Sequence, residues 1–187
     1  MRKIVAVVGD AKIDYGSHKY DLAYATGKLL VDNGYRVQSG GHRGVMEAAF
    51  EGAHASEKYR EGDTVALLPS FDAHTVNQYA DIVIPTGLDV FRNAIVANAS
   101  AVVAVGGGAG TLSEMAFAWS LKRLVIGYTG VDGWSARLAG CKPDSKHRYD
   151  YEDDMIFPAA TPEEMIEIIK SKIDKYDVYH QGIQFGL

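Results

Sequence analysis

Ala101-Val102-Val103-Ala104-Val105-Gly106-Gly107-Gly108-Ala109-Gly110-Thr111-Leu112-Ser113-Glu114 is a buried strand that runs through a glycine turn into a helix. Ala101–Val105 has no polar member, as expected of a strand covered on both faces. Gly106–Gly110 forms the turn, and the apolar residues that follow predict a helix from Thr111 to about Leu121. A strand, a tight turn and a helix in that order form the repeating unit of an open parallel sheet.

The same grammar recurs on either side of this stretch. Ile4–Val8 is an unbroken β-branched run, followed by a loop over Gly9–Ser17. A helix then places Leu22, Thr26, Leu29 and Leu30 on one face and stops at Gly34. Tyr35–Ser39 is a strand that leads into Gly40-Gly41-His42-Arg43-Gly44, and the next helix carries Val45, Met46, Ala49 and Ala53. Thr64–Leu68 and Asp81–Ile84 are strands closed by Pro69 and Pro85. Leu88–Asn98 reads as one helix, and Leu124–Ile126 as a further strand. The stretch 130–151 is polar and read as an irregular loop. A C-terminal helix over 161–175 opens on Thr161-Pro162-Glu163-Glu164, with threonine as cap, proline at the first position and Glu164 closing a capping box. Met165, Ile168, Ile169 and Ile173 form its inner stripe. The expectation is one domain over 1–187: α/β, Rossmann-like, a doubly wound and mostly parallel sheet with helices on both faces.

The 187 residues suffice for one well-buried core. An apolar fraction of 47% and a charged fraction of 23% fit a globular protein. The net charge of −5, with no dense Lys/Arg stretch, argues against nucleic acid as a general partner. No run approaches the ~20 apolar residues of a membrane span, and the opening apolar run ends at Gly9-Asp10, short of a secretory signal. Cys141 is the only cysteine, which excludes an internal disulfide or a thiolate cluster. The histidines (His18, His42, His54, His74, His147, His180) show no metal-ligand spacing, so no metal is expected. A cytoplasmic setting follows by elimination.

Two glycine-rich turns, Ser39-Gly40-Gly41-His42-Arg43-Gly44 and Gly106-Gly107-Gly108-Ala109-Gly110-Thr111, each follow a strand and precede a helix. That is the carboxyl edge of the sheet, where ligands bind in open α/β proteins. Glycine lets a ligand approach the backbone, and the following helix offers free N–H groups and about half a positive charge to an anion. Thr111 adds a hydroxyl. Neither turn matches the dinucleotide or P-loop fingerprint: Thr111 stands where the third glycine belongs, and the P-loop lysine is missing.

Several residues leave alternatives open. Glu114 lies one helical turn beyond the glycines, so its carboxylate reaches back to a ligand, or it closes a capping box with Thr111. Arg92, the one cation of its helix, clamps a phosphate or pairs with Glu114 or Asp89. Arg43 is a second phosphate candidate or an exposed turn residue. The helix after Thr111 is apolar nearly all round (Leu112, Met115, Ala116, Phe117, Ala118, Trp119), which points to a subunit interface or a central core position.

These residues together, Ser39-Gly40-Gly41-x-x-Gly44-Val45-Met46, Arg92 and Gly107–Glu114, resemble the Lonely Guy family of the SLOG superfamily, long mislabelled lysine decarboxylases. The F-R-N and G-G-G-x-G-T-L-S-E wording is more similar to the molybdenum-cofactor-carrier-like branch. The resemblance implies a homodimer or homotetramer with sites near the subunit contact and no required cofactor. In the hydrolases it implies cleavage of a nucleoside 5′-monophosphate, classically a cytokinin, to base and ribose 5-phosphate. Gly107–Thr111 would then hold the phosphate, Glu114 would position water and stabilise an oxocarbenium-like sugar, and Arg92 would orient the substrate or Glu114. In the carrier-like branch the same pocket holds a pterin phosphate, with the molybdenum cofactor as cargo. The ligand-binding set is Gly9, Ser39, Gly40, Gly41, Arg43, Gly44, Gly106, Gly107, Gly108, Ala109, Gly110 and Thr111; the residues placed for catalysis are Arg92 and Glu114. Gly106 stands where the signature has proline, and Asn93 where the hydrolases have a basic residue. Both departures favour the carrier, while intact Arg92 and Glu114 favour the enzyme. Lysine decarboxylation is set aside, since no lysine, Lys122 included, has a Schiff-base context.

Overall fold

The computed structural model describes residues 1–145, 148 and 153–177. Seven strands form one sheet: β1 (Ile4–Gly9), β2 (Arg36–Ser39), β3 (Thr64–Leu68), β4 (Ile82–Pro85), β5 (Ala101–Val105), β6 (Leu124–Tyr128) and β7 (Phe157–Ala159). Their spatial order is β4-β3-β2-β1-β5-β6-β7, and every pairing is parallel. The chain builds outward from β1 to β4, then crosses back to lay β5 on the other side of β1. The crevice between the carboxyl ends of β1 and β5 is therefore the switch point at which such sheets bind ligands.

The helices are α1 (His18–Asp32), α2 (Val45–His54), α3 (Asn93–Ala97), α4 (Ala109–Ser120), α5 (Trp134–Leu138) and α6 (Pro162–Lys172). Alternation along the strands divides the core in two. Val5, Val7, Val103, Leu124 and Ile126 face α1, α2 and α6. Ala6, Val8, Val102, Ala104 and Val125 face Val96, Met115, Ala118 and Trp119 of α3 and α4. Strands buried on both sides in this way need the unbroken apolar runs that β1 and β5 have.

Between α1 and α2 there is no side-chain layer at two points. A Cβ on Gly27 would lie 1.8 Å from the Ala49 carbonyl oxygen, and one on Gly52 would lie 1.9 Å from that of Tyr24. The helices touch backbone to backbone.

Several boundaries differ from expectation. The single helix expected over 88–98 is a 3₁₀ turn, Asp89–Arg92, followed by the short α3. Asp89 has φ 49, a conformation that cannot continue an α-helix, and its N–H bonds instead to Pro69 O at 2.9 Å. Helix α4 starts at Ala109 rather than Thr111, because Gly108 is its N-cap. The stretch read as irregular from 130 contains α5, a single turn too short to show periodicity; residues 146–147 and 149–151 of it lie outside the described residues. Strand β7 was not foreseen, and Pro158 at its centre fits its place at the sheet edge.

Helix α6 opens as expected, with Thr161 Oγ1 accepting from Glu164 N–H at 3.2 Å, although the Glu164 carboxylate closes on Ala160 N–H rather than on the cap itself. After α6, Tyr176 is buried and donates to Asp154 at 2.6 Å; the later aromatics Tyr179 and Phe185 lie outside the described residues, as do His147 and His180. Among the described residues no helix is long and apolar enough to cross a membrane.

Candidate functional site

The glycine turn after β5 splits into two halves. Gly106 N–H donates to Ser135 Oγ at 2.8 Å, and Gly106 O accepts Ser135 N–H at 3.0 Å. Gly107 N–H donates to Asp10 Oδ2 at 3.0 Å, and Gly107 O accepts Trp134 N–H at 3.0 Å. All four backbone groups are satisfied by the protein, so these two glycines are scaffold. The next residues are not bound in this way. Gly108 caps α4 without a side-chain bond, and the first-turn N–H groups of Ala109, Gly110 and Thr111 have no helical carbonyl behind them. The positive end of a twelve-residue helix is left open there.

It opens into a cleft of about 270 Å³ at the switch point. Of the residues expected at the site, Gly9, Arg92, Gly108, Gly110, Thr111 and Glu114 line it. Arg92 and Glu114 are brought together, with Nη1 donating to Oε1 at 3.1 Å and both residues buried (8% and 7% exposed). Glu114 is therefore Arg92's partner and not the closing residue of a capping box; Thr111, inside the helix, is not the cap that box requires. Burial raises the Glu114 carboxyl to about 7, against the pull of Arg92. Burial likewise lowers the Arg92 guanidinium, and Glu114 opposes it. Among the described residues, Arg92 Nε is buried with no hydrogen-bond partner.

The turn after β2 plays another part. Gly41 N–H donates to Ser39 Oγ at 3.1 Å, while Gly41 O accepts the backbone and side-chain N–H groups of Asn77 at 2.9 and 3.0 Å. Gly44 caps α2, but the first helical N–H, from Val45, is already bonded to Asp10 O at 2.9 Å. Gly40 backs the guanidinium: a Cβ there would come 2.5 Å from Arg92 Nη2. Ser39, Gly40, Gly41 and Gly44 thus shape the site from behind, as do Gly106 and Gly107. Arg43 is exposed and, like Ala109, is not part of the cleft lining.

Six lining residues were not singled out for the site from sequence: Val8, Asp10, Ala11, His42, Met46 and Asn93. Asn93 Nδ2 donates to Ser113 Oγ at 2.8 Å, and that hydroxyl donates to Gly110 O at 2.7 Å, lacing α3 to the first turn of α4. Asp10 Oδ2 also receives Lys19 Nζ at 2.6 Å, and Lys19 is held in turn by Asp132 at 2.8 Å. The available signal was position: Asp10 follows β1 directly, and β1 borders the switch point.

Among solved structures, the chain is similar to the molybdenum cofactor binding protein from the phototrophic bacterium Rippkaea orientalis, with 32% identity, TM-score 0.74, and coverage of 92% of this chain and 98% of that one. It is also similar to the molybdenum cofactor carrier protein from Chlamydomonas reinhardtii, at 28% identity and TM-score 0.69, covering 91% of this chain and 98% of that one. An uncharacterized protein of Archaeoglobus fulgidus is 39% identical over 115 residues, which are 61% of this chain and 72% of that protein. DNA processing protein A from Helicobacter pylori, 16% identical with TM-score 0.56 over 72% of this chain and 70% of that one, shares the fold alone. The profile of the SLOG cluster4 family matches residues 2–166. The resemblance read from the two glycine turns and Arg92 thus extends over nearly the whole sequence, and the chain belongs to the SLOG cluster4 family.

Proposed function

We propose that this protein binds and carries a phosphorylated, nucleotide-like small molecule, with the molybdenum cofactor as the favoured cargo, in the cleft between β1 and β5. The observation that carries this reading is the open first turn of α4. Its N–H groups and the Thr111 hydroxyl form a ready receptor for a phosphate, while the glycines before them are already bonded to the protein. The residues present fit a pterin phosphate. The phosphate takes the α4 N-terminus, Arg92 has an unpartnered buried Nε close by, and Val8 and Met46 supply apolar wall for a flat ring. The two similar solved proteins named for the molybdenum cofactor support the choice of ligand class.

A second reading, hydrolysis of a nucleoside 5′-monophosphate, is favoured by one observation. Glu114 lines the cleft with its carboxyl raised to about 7, the range of a working acid–base group. Purified protein incubated with AMP, GMP, CMP, UMP and a cytokinin monophosphate separates the two. The carrier releases no base and is stabilised thermally by a pterin phosphate or nucleotide. Release of base by the wild type that disappears in Glu114→Gln would establish the hydrolase.

Self-association is part of the proposal. Val90, Phe91 and Ile95 are 64%, 76% and 43% exposed, and Phe117 of the adjoining α4 is 39% exposed, a run of apolar surface next to the cleft. Phe91→Ser is expected to shift the protein toward monomer in analytical ultracentrifugation.

A further inference from the structure

We infer that Asp10 is a ligand-reading residue: its free carboxylate oxygen accepts a hydrogen bond from an O–H or N–H on the ligand, beside the phosphate. The inference rests on the reading of the cleft as a phosphate site and goes beyond it.

Asp10 lines the cleft at the end of β1. One oxygen, Oδ2, is committed twice, to Gly107 N–H at 3.0 Å and to Lys19 Nζ at 2.6 Å. Lys19 is pinned from its other side by Asp132 at 2.8 Å, so the carboxylate is held in one orientation. The other oxygen, Oδ1, has no hydrogen bond among the described residues, and the side chain is 26% exposed. If Asp10 served only to prop up the glycine turn, a neutral acceptor would do. Lys19 offsets part of the charge through Oδ2, but a carboxylate at an anion receptor still disfavours a bare phosphate, and a ligand that brings a donor to Oδ1 offsets the rest. Rejection of the simple anion and selection of the donor-bearing ester come from the same group.

Two ligand types have such donors: a ribose has hydroxyls, and a reduced pterin has ring N–H groups. Asp10→Asn isolates the effect, because the amide oxygen still accepts from Gly107 while the second oxygen becomes a donor. Affinities are measured by calorimetry for inorganic phosphate, for AMP against 2′,3′-dideoxyadenosine monophosphate, and for tetrahydro- against oxidised 6-hydroxymethylpterin phosphate. In the wild type one pair is expected to show a tenfold or greater preference for its donor-rich member, and that pair names the source. Asp10→Asn is expected to abolish the preference and to bind inorganic phosphate several-fold more tightly. If Asp10→Asn does not fold, Lys19→Met, which leaves the charge but frees the carboxylate, is expected to reduce the same preference. A wild-type protein that prefers neither donor-rich member, or a preference that survives the substitution, overturns the inference while leaving phosphate binding intact. Failure of the wild type to bind any of the five probes removes the phosphate reading itself, and Asp10's role with it.

Discussion

In the turn after β2, Gly41 is bonded to Ser39 and Asn77, and the first N–H of α2, from Val45, to Asp10. In the turn after β5, Gly106 and Gly107 are bonded in the same manner, but the first turn of α4 beyond them is not. The loop after β1 contributes to the difference. Its Asp10 carbonyl takes the first N–H of α2, while its carboxylate props Gly107 and takes no N–H of α4. A run of glycines therefore marks a tight connection, and anion binding further requires unpaired N–H groups in the helix behind it.

Several substitutions test that contrast. The largest effect is expected from Gly108→Asp. Nothing lies within 4 Å of an added Cβ at Gly108, so the fold should persist, but a carboxylate would sit at the open helix end in place of the phosphate. Phosphate-ester affinity measured by calorimetry should drop by about 100-fold or more, roughly 3 kcal/mol. Gly41→Ala should do the opposite, harming stability and sparing the ligand. Gly41 has φ 76, and a Cβ would meet the Ala66 Cβ at 2.7 Å, so a loss of about 1–3 kcal/mol in chemical denaturation is expected.

The third test concerns pH. Folding raises the Glu114 carboxyl from 4.5 to about 7, so the folded state holds a proton that the unfolded state has lost across that window. Stability associated with this group is fully present below pH 4.5 and is lost as pH rises toward 7. Glu114→Gln should remove that part of the decline, read from denaturation midpoints at pH 4.5, 6 and 7.5. The smallest effect belongs to Arg43→Ala, expected to change ligand affinity by less than about twofold, since an exposed turn charge is screened by solvent. A large effect there would bring the first turn back into the binding site.

Much of the fold was legible because β1 and β5 are apolar runs and β3 departs from one only at Thr64, as strands buried on both faces require. Strand β7 and helix α5 were not, being too short for a period to register. Arg92, Glu114, Thr111 and the open glycines were legible from their place after strands and from the motif they spell. The division between Gly106-Gly107 and Gly108-Gly110 was hidden, because it is made by Trp134 and Ser135, from a segment with no sequence pattern of its own. Asp10, His42, Met46 and Asn93 reach the cleft only through the strand order, which no local spacing encodes.

The backbone contact between α1 and α2 has a mechanical consequence. With Gly27 against Ala49 and Gly52 against Tyr24, no compressible side-chain cushion separates the two helices. Lys19 near the start of α1 and Met46 near the start of α2 therefore belong to one stiff plate, and that flank of the cleft cannot yield in halves. The opposite flank hangs on the 3₁₀ turn from Asp89 to Arg92 and the brief α3, joined to α4 through Asn93 and Ser113. On the carrier reading, a ligand would find the more yielding wall on that flank, where Arg92 stands on a short 3₁₀ turn.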